Sequence, residues 1–192
     1  MPLTIDERLL LGRIVRRSLA AALGGGEFRP VLEDGAGPAL AERRGCFVTL
    51  KKDGALRGCL GCFVSETPLY LTVAAYARHS ALDDRRFAAN RLRLADLPLI
   101  DAEVSVLTRL SPCRDPEGII LGRHGIQVSR DGRSGCFLPQ VATETGWSVE
   151  EFWGHCCRDK AGLAWDAWRR PGTVLSTFAA EVFDCPAELA AD

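Results

Sequence analysis

Between Leu9 and Leu23 apolar residues recur at helical spacing, with Leu9, Leu10, Ile14, Leu19, Ala22 and Leu23 forming one stripe among arginines and small residues. Thr4-Ile5-Asp6-Glu7 ahead of the stripe has capping-box spacing: the Thr4 hydroxyl can accept from the third helical amide while Glu7 reaches back to the Thr4 amide. A helix is predicted to start there. Gly24-Gly25-Gly26 ends it by admitting left-handed backbone angles, and residues 27–44, with further glycines and prolines, read as irregular.

The period then shortens. Cys46-Phe47-Val48-Thr49-Leu50 and Ala55-Leu56-Arg57-Gly58-Cys59-Leu60 flank Asp53-Gly54, a pair that tolerates the positive φ angles of a tight turn, so an antiparallel hairpin is predicted. Thr67 before Pro68 reads as a helix cap with proline in the first turn. Leu69, Val73, Tyr76 and Ala77 supply that helix's buried face to about Ala81. After the polar run Asp83-Asp84-Arg85-Arg86-Phe87, residues 101–110 alternate around Val104 and Val106 as a strand does. A second Asp-Gly pair, Asp131-Gly132, between residues 126–130 and 133–138 predicts another hairpin. Ser148-Val149-Glu150-Glu151 is a second capping box, opening a helix with Phe152, Trp153, Cys156 and Cys157 inward and a close near Lys160-Ala161-Gly162. Residues 173–183 read as one last strand. Hairpins interleaved with helices predict an α+β fold with a mostly antiparallel or mixed sheet and covering helices.

At 192 residues and 47% hydrophobic, the chain suits a single domain with its core over about residues 4–183, or one domain with a small satellite. Its formal charge of -1 provides no global field for nucleic acid or anionic lipid. The acidic start lacks the features of a secretory signal, and charged residues interrupt every apolar run before the roughly 20 residues that span a bilayer. A cytoplasmic chain, off the membrane, is expected. In that setting the eight cysteines, at 46, 59, 62, 113, 136, 156, 157 and 185, are expected to be reduced and mostly buried.

Strand alternation puts Arg57, Cys59 and Gly61 on one face and Leu56, Gly58 and Leu60 on the other. An arginine two residues from a cysteine favours thiolate, and glycine leaves room for a ligand, which suits a nucleophilic or ligand-gripping Cys59. The plainer reading is a packed strand cysteine beside glycines that a bulge requires. Cys59-Leu60-Gly61-Cys62 is a C-x-x-C, but redox and zinc readings fit poorly because the pair lies on a strand and the other cysteine cluster, His155-Cys156-Cys157, is helical without matching spacing. No cofactor and no metal are expected. Among the three histidines His124, in a turn before a strand, is the better acid or base, whereas His79 and His155 sit on predicted helices. Asp84 and Arg86 form either a solvated loop or an ordered pair that holds Phe87 against the core and frames a polar pocket. The four tryptophans read as core or rim.

Leu56-Arg57-Gly58-Cys59-Leu60-Gly61, Asp84-Arg85-Arg86-Phe87, Glu103-Val104-Ser105-Val106-Leu107, His124-Gly125-Ile126, Phe137-Leu138-Pro139-Gln140-Val141 and Lys160-Ala161-Gly162-Leu163, in this order, resemble the AMMECR-one domain family. The resemblance runs from the first helix to Phe183. It implies a larger sheet-containing part with a smaller subdomain, and the A component of the AmmeMemoRadiSam system, whose neighbours are a Memo-like protein and a radical S-adenosylmethionine protein. The family's motif positions fall on Arg57, Gly58, Cys59, Gly61, Asp84, Arg86 and Phe87. Cys62 stands where Ser or Thr is usual, and Ala88-Ala89 where Pro-Pro is common.

Two functions fit. In the first, an enzyme or enzyme subunit acts on a small-molecule ligand: Cys59 attacks or grips it, Arg57 stabilises the thiolate or an anionic substrate group, and His124 or Asp84 moves protons. Gly58, Gly61, Arg86 and Phe87 would line its seat. In the second, a non-catalytic module presents the same surface to the Memo-like or radical partner.

Overall fold

In the computed structural model, which describes residues 2–32 and 35–190, both Asp-Gly pairs turn as their composition predicts. Asp53 and Gly54 have φ of 52° and 73°, Asp131 and Gly132 of 51° and 74°, the left-handed pairing that matches strand twist in two-residue hairpins. The chain divides into two compact units, one running to Leu107 and resuming at Glu181, the other spanning Thr108–Ala180.

In the first unit, helix α1 (Ile5–Leu23) begins at the Thr4 capping box, with Glu7 and Thr4 bonded reciprocally. Its buried face holds Leu11, Ile14, Val15, Leu19 and Ala22, with Leu10 and Leu23 packed at its border, so of the predicted stripe only Leu9 is exposed. Strands β1 (Cys46–Lys52) and β2 (Ala55–Cys62) form the hairpin, and β1 pairs antiparallel on its other side with β3 (Ile100–Leu107). With β8 (Ala180–Cys185) the sheet order is β2-β1-β3-β8, which leaves β2 at an edge. Cys46, Val48 and Leu50 oppose Val106, Val104 and Ala102, and this row is buried with Leu69, Val73 and Ala77 of helix α2 (Leu69–Leu82). Pro68, not Thr67, occupies the cap of α2; the Thr67 hydroxyl instead meets Thr72 Oγ1 at 3.0 Å. The buried Arg16 of α1 donates to the carbonyls of Ile100, Cys185 and Pro186, fastening the helix to the ends of two strands.

The second unit holds a sheet of order β4-β7-β5-β6, from β4 (Ser111–Pro112), β5 (Gly125–Arg130), β6 (Arg133–Phe137) and β7 (Val174–Phe178). The predicted last strand is thus two strands, β7 and β8, that join different sheets. Helix α3 (Pro139–Thr145) has no counterpart among the sequence-based elements, because about two turns of helix carry too few apolar repeats to show a period. Helix α4 (Val149–His155) opens on the Ser148 capping box and continues into a wider turn over Cys156–Lys160. Phe152, Trp153, Cys156 and Cys157 are all fully buried, as their spacing predicts. The whole is an α+β fold of antiparallel pairs with covering helices.

Helix α2 crosses β2 so closely that a Cβ on Gly58 would lie 2.0 Å from the Ser80 carbonyl oxygen. The contact lets the Ser80 hydroxyl accept from the Leu60 amide at 2.9 Å and donate to the Val48 carbonyl at 2.8 Å. Because the obstacle is backbone, Gly58→Ala is expected to cost about 3 kcal/mol of stability, measured as a lowered urea midpoint; a change below about 0.5 kcal/mol would show that the helix moves aside freely.

Candidate functional site

Cys59 sits on the edge strand opposite Thr49, whose hydroxyl oxygen is 3.3 Å from the Cys59 sulfur. The peptide groups of Cys59 on the side away from β1 need partners that an edge strand does not supply. Two side chains supply them. Asp84 Oδ2 accepts the Cys59 amide at 3.0 Å, and Arg86 Nη2 donates to the Cys59 carbonyl at 2.9 Å. Asp84 and Arg86 are themselves joined as a fork, Nε to Oδ1 at 2.9 Å and Nη2 to Oδ2 at 2.6 Å. Local sequence makes this possible: Asp84 caps the tight turn Arg85–Asn90 by accepting the Arg86 amide, which brings residues 84 and 86 to one side.

The Asp84 carboxylate is buried while the Arg86 side chain remains 59% exposed, so the guanidinium is held along one edge and open along the other. The hydrogen bond from Arg86, reinforced by the Cys59 and Arg86 amides against an opposing burial effect, pulls the Asp84 carboxyl down to about 2. Such a group stays ionised at working pH. Asp84 therefore orients its neighbours, and its expected role as a proton carrier does not fit. Arg86 is in turn held protonated by Asp84 first, with a smaller contribution from the Cys59 side chain. Its guanidinium also lies 5.4 Å from the centre of the half-buried Phe87 ring. The predicted ordered pair is present, and its grip is on the cysteine peptide.

Arg57 departs from the expected geometry. Gly58 pairs with Leu50 but Leu56 with Lys51, so Arg57 is the extra residue of a bulge and the i, i+2 alternation fails there. It lines a cavity of about 500 Å³ with Lys52, residues 88–93 and Asp96, a lining that does not include Cys59. The arginine beside the sulfur is Arg86. Both motif glycines are closely covered by protein: Gly58 by Ser80, and Gly61 by the Phe47 ring and the Cys46 carbonyl, which would lie 2.4 and 2.2 Å from a Cβ at that position. Neither leaves space for a ligand, so the substrate contacts expected of them give way to close packing. Cys62 pairs with Cys46 on the opposite face from Cys59, beside the Tyr76 hydroxyl, so the C-x-x-C sulfurs point apart.

His124 belongs to the second unit, where Nδ1 accepts the Ile120 amide at 3.0 Å and leaves Nε2 to carry the proton of the neutral ring. His79 is bonded to Asp83, and His155 stacks on Trp147 at 3.9 Å between ring centres. Residues that sequence reasoning missed are Thr49, Ser80, Lys52, Arg91 and Arg93. A signal existed for the last two: residues 85–93 contain four arginines and no acid.

The fold and this site define an α+β protein with two small sheets, in which an edge-strand cysteine is clamped by an Asp-x-Arg fork. The chain belongs to the AMMECR1 family, whose sequence model matches residues 12–183. It is 40% identical over 190 residues to protein MK0488 of Methanopyrus kandleri, covering 95% of this chain and 90% of that one. A protein of Thermococcus gammatolerans is 37% identical, with 91% and 88% covered. The crystal structure of the uncharacterized protein PH0010 from Pyrococcus horikoshii superposes with a TM-score of 0.83 at 36% identity, over 95% of this chain and 93% of that one. Among the described residues no helix is long and apolar enough to cross a membrane.

The fork makes a pH-dependent contribution to stability. Because the folded Asp84 carboxyl, at about 2, lies below its ordinary value of 3.8, its contribution is full above about pH 4 and is lost as pH falls towards 2. About 2 kcal/mol is at stake. Asp84→Asn should therefore be less stable than the parent by about that amount at pH 7, with the two converging at pH 2 in urea titrations. Parallel curves would show that the carboxylate charge contributes nothing.

Proposed function

We propose that this chain is an enzyme or enzyme subunit acting on a small molecule at Cys59, with the sulfur as nucleophile or ligand-gripping group. The observation that carries the reading is the clamp: Asp84 and Arg86 hold both peptide groups of Cys59 and set a fixed guanidinium beside its sulfur. Arg86 then stabilises negative charge on sulfur or on a bound group, as cationic neighbours do for reactive cysteines. Thr49 offers a hydroxyl at 3.3 Å that can donate or accept, and Asp84 positions both Arg86 and the strand. Phe87, beneath the Arg86 guanidinium, supplies an apolar wall. Arg57 serves the adjoining cavity.

Alkylation resolved by site tests the proposal. Cys113 and Cys136 are also half-buried, but burial raises both thiols, Cys136 to about 11. With iodoacetamide at pH 7, Cys59 is expected to label roughly tenfold faster than either, and Arg86→Ala to slow Cys59 several-fold while leaving Cys113 and Cys136 unchanged. Arg86→Lys, which keeps the charge without the fork, should fall between. If Cys59 labels no faster than the other two and ignores both substitutions, the sulfur is packing material and the catalytic reading is lost.

A further inference from the structure

The cavity beside the clamp has an unusual charge. Its lining carries four cations, Lys52, Arg57, Arg91 and Arg93, and one carboxylate, Asp96. Asp96 is already spent: Oδ1 takes Lys52 Nζ at 2.6 Å and Oδ2 takes the Arg93 amide at 2.9 Å. Three guanidinium groups remain, and of these Arg93 joins Lys52 in holding Asp96 ionised, but from beyond ion-pair distance. Arg57 makes one bond, to the adjacent Leu56 carbonyl at 3.3 Å, and among the described residues no carboxylate forms an ion pair with Arg57, Arg91 or Arg93. In a chain of net charge -1, where acids are as common as bases, composition does not account for this concentration.

The hollow is also built to keep its shape. Leu92, buried in the first core, pins the segment from which Arg91 and Arg93 project into solvent. The Lys52–Asp96 pair ties the turn after it to β1, and Arg57 stands on the bulge of β2. Like charges held together in a concave site repel one another until a counter-charge arrives, and guanidinium forks match the oxygens of phosphate and carboxylate. A volume of about 500 Å³ lies in the range of small-molecule sites, larger than a bare oxyanion needs.

We propose that this cavity seats the multiply charged oxyanion, phosphate or polycarboxylate, of a small molecule through Arg57, Arg91 and Arg93. The inference deepens the reading of Cys59 as the working group and rests on it for the ligand's other end. The cavity adjoins the clamp through two chain segments, since Arg57 is two residues from Cys59 and Ala88 two residues from Arg86, and a ligand anchored here would reach towards the sulfur from that side. A polyanion is the less suitable occupant, because the basic groups fill one hollow and do not extend into a stripe.

The test is calorimetric titration of the full chain with pyrophosphate, citrate and a single-stranded oligonucleotide, alongside alkylation of Cys59 in the presence of each anion. Saturable binding of pyrophosphate or citrate at or below about 1 mM is expected, weakened about tenfold by Arg91→Ala and by Arg57→Ala, and less by Arg57→Lys. Which of the two small anions binds more tightly assigns the phosphate or carboxylate source. Arg91 is exposed, so its loss leaves the fold intact even where Arg57→Ala does not. No saturation up to about 10 mM, or binding indifferent to Arg91→Ala, overturns the inference, as does an oligonucleotide that displaces pyrophosphate with a steep salt dependence. Anion binding that leaves Cys59 alkylation unaltered supports the cavity and removes its tie to Cys59. A reactive Cys59 with no anion bound has the reverse meaning.

Discussion

Everything at the site depends on how the outer peptide groups of Cys59 are satisfied. An edge strand normally leaves such groups to water, where they also invite pairing with other chains. Here a carboxylate accepts the amide and a guanidinium donates to the carbonyl, from residues 84 and 86 of one tight turn. The two side chains form their own bidentate pair, so neither bond to the strand can shift without disturbing the other. The sulfur inherits that rigidity.

For Asp84 to meet Cys59, the end of α2 must lie at a fixed height over β2. Gly58 sets that height, because only a residue without a side chain admits the Ser80 carbonyl so near the strand. The Ser80 hydroxyl then bridges the two strands between Leu60 and Val48. Four residues after Ser80 the chain has left the helix and reached Asp84. The glycine of the Arg-Gly-Cys triplet therefore acts on the cysteine indirectly, by placing a helix, and Gly61 acts in the same way by seating the Phe47 ring.

Much of this was legible in the sequence, for reasons that also explain what was not. Capping boxes at Thr4 and Ser148 and both Asp-Gly turns depend on contacts within a few residues, so their chemistry is written locally. The Asp84–Arg86 pair was visible for the same reason. Its target was not, since Cys59 lies 25 residues from Asp84 and only α2 brings them together. A bulge beside these glycines is one of the readings the sequence offers, but its place at Arg57 is defined by the partner strand's register, and strict alternation assigns the arginine to the wrong hollow. The split of residues 173–183 into two strands had no local signal, because Val174–Phe178 and Ala180–Cys185 share one apolar rhythm and differ only in the sheets they join.

The arginines around this cysteine divide by what restrains them. Arg86 is fixed by a carboxylate and a carbonyl, so its charge is aimed at one place and would need little further ordering in the proposed reaction. Among the described residues no carboxylate forms an ion pair with Arg57, Arg91 or Arg93, and long side chains not so fixed adapt to ligands of differing shape. Precise placement of charge suits a bond that must form or strain at a given atom, whereas adaptable charge suits recognition of a flexible anion. One guanidinium held next to sulfur and three without a carboxylate ion pair in the adjoining hollow therefore suit the two halves of the proposed site, reaction at Cys59 and recognition of an anion.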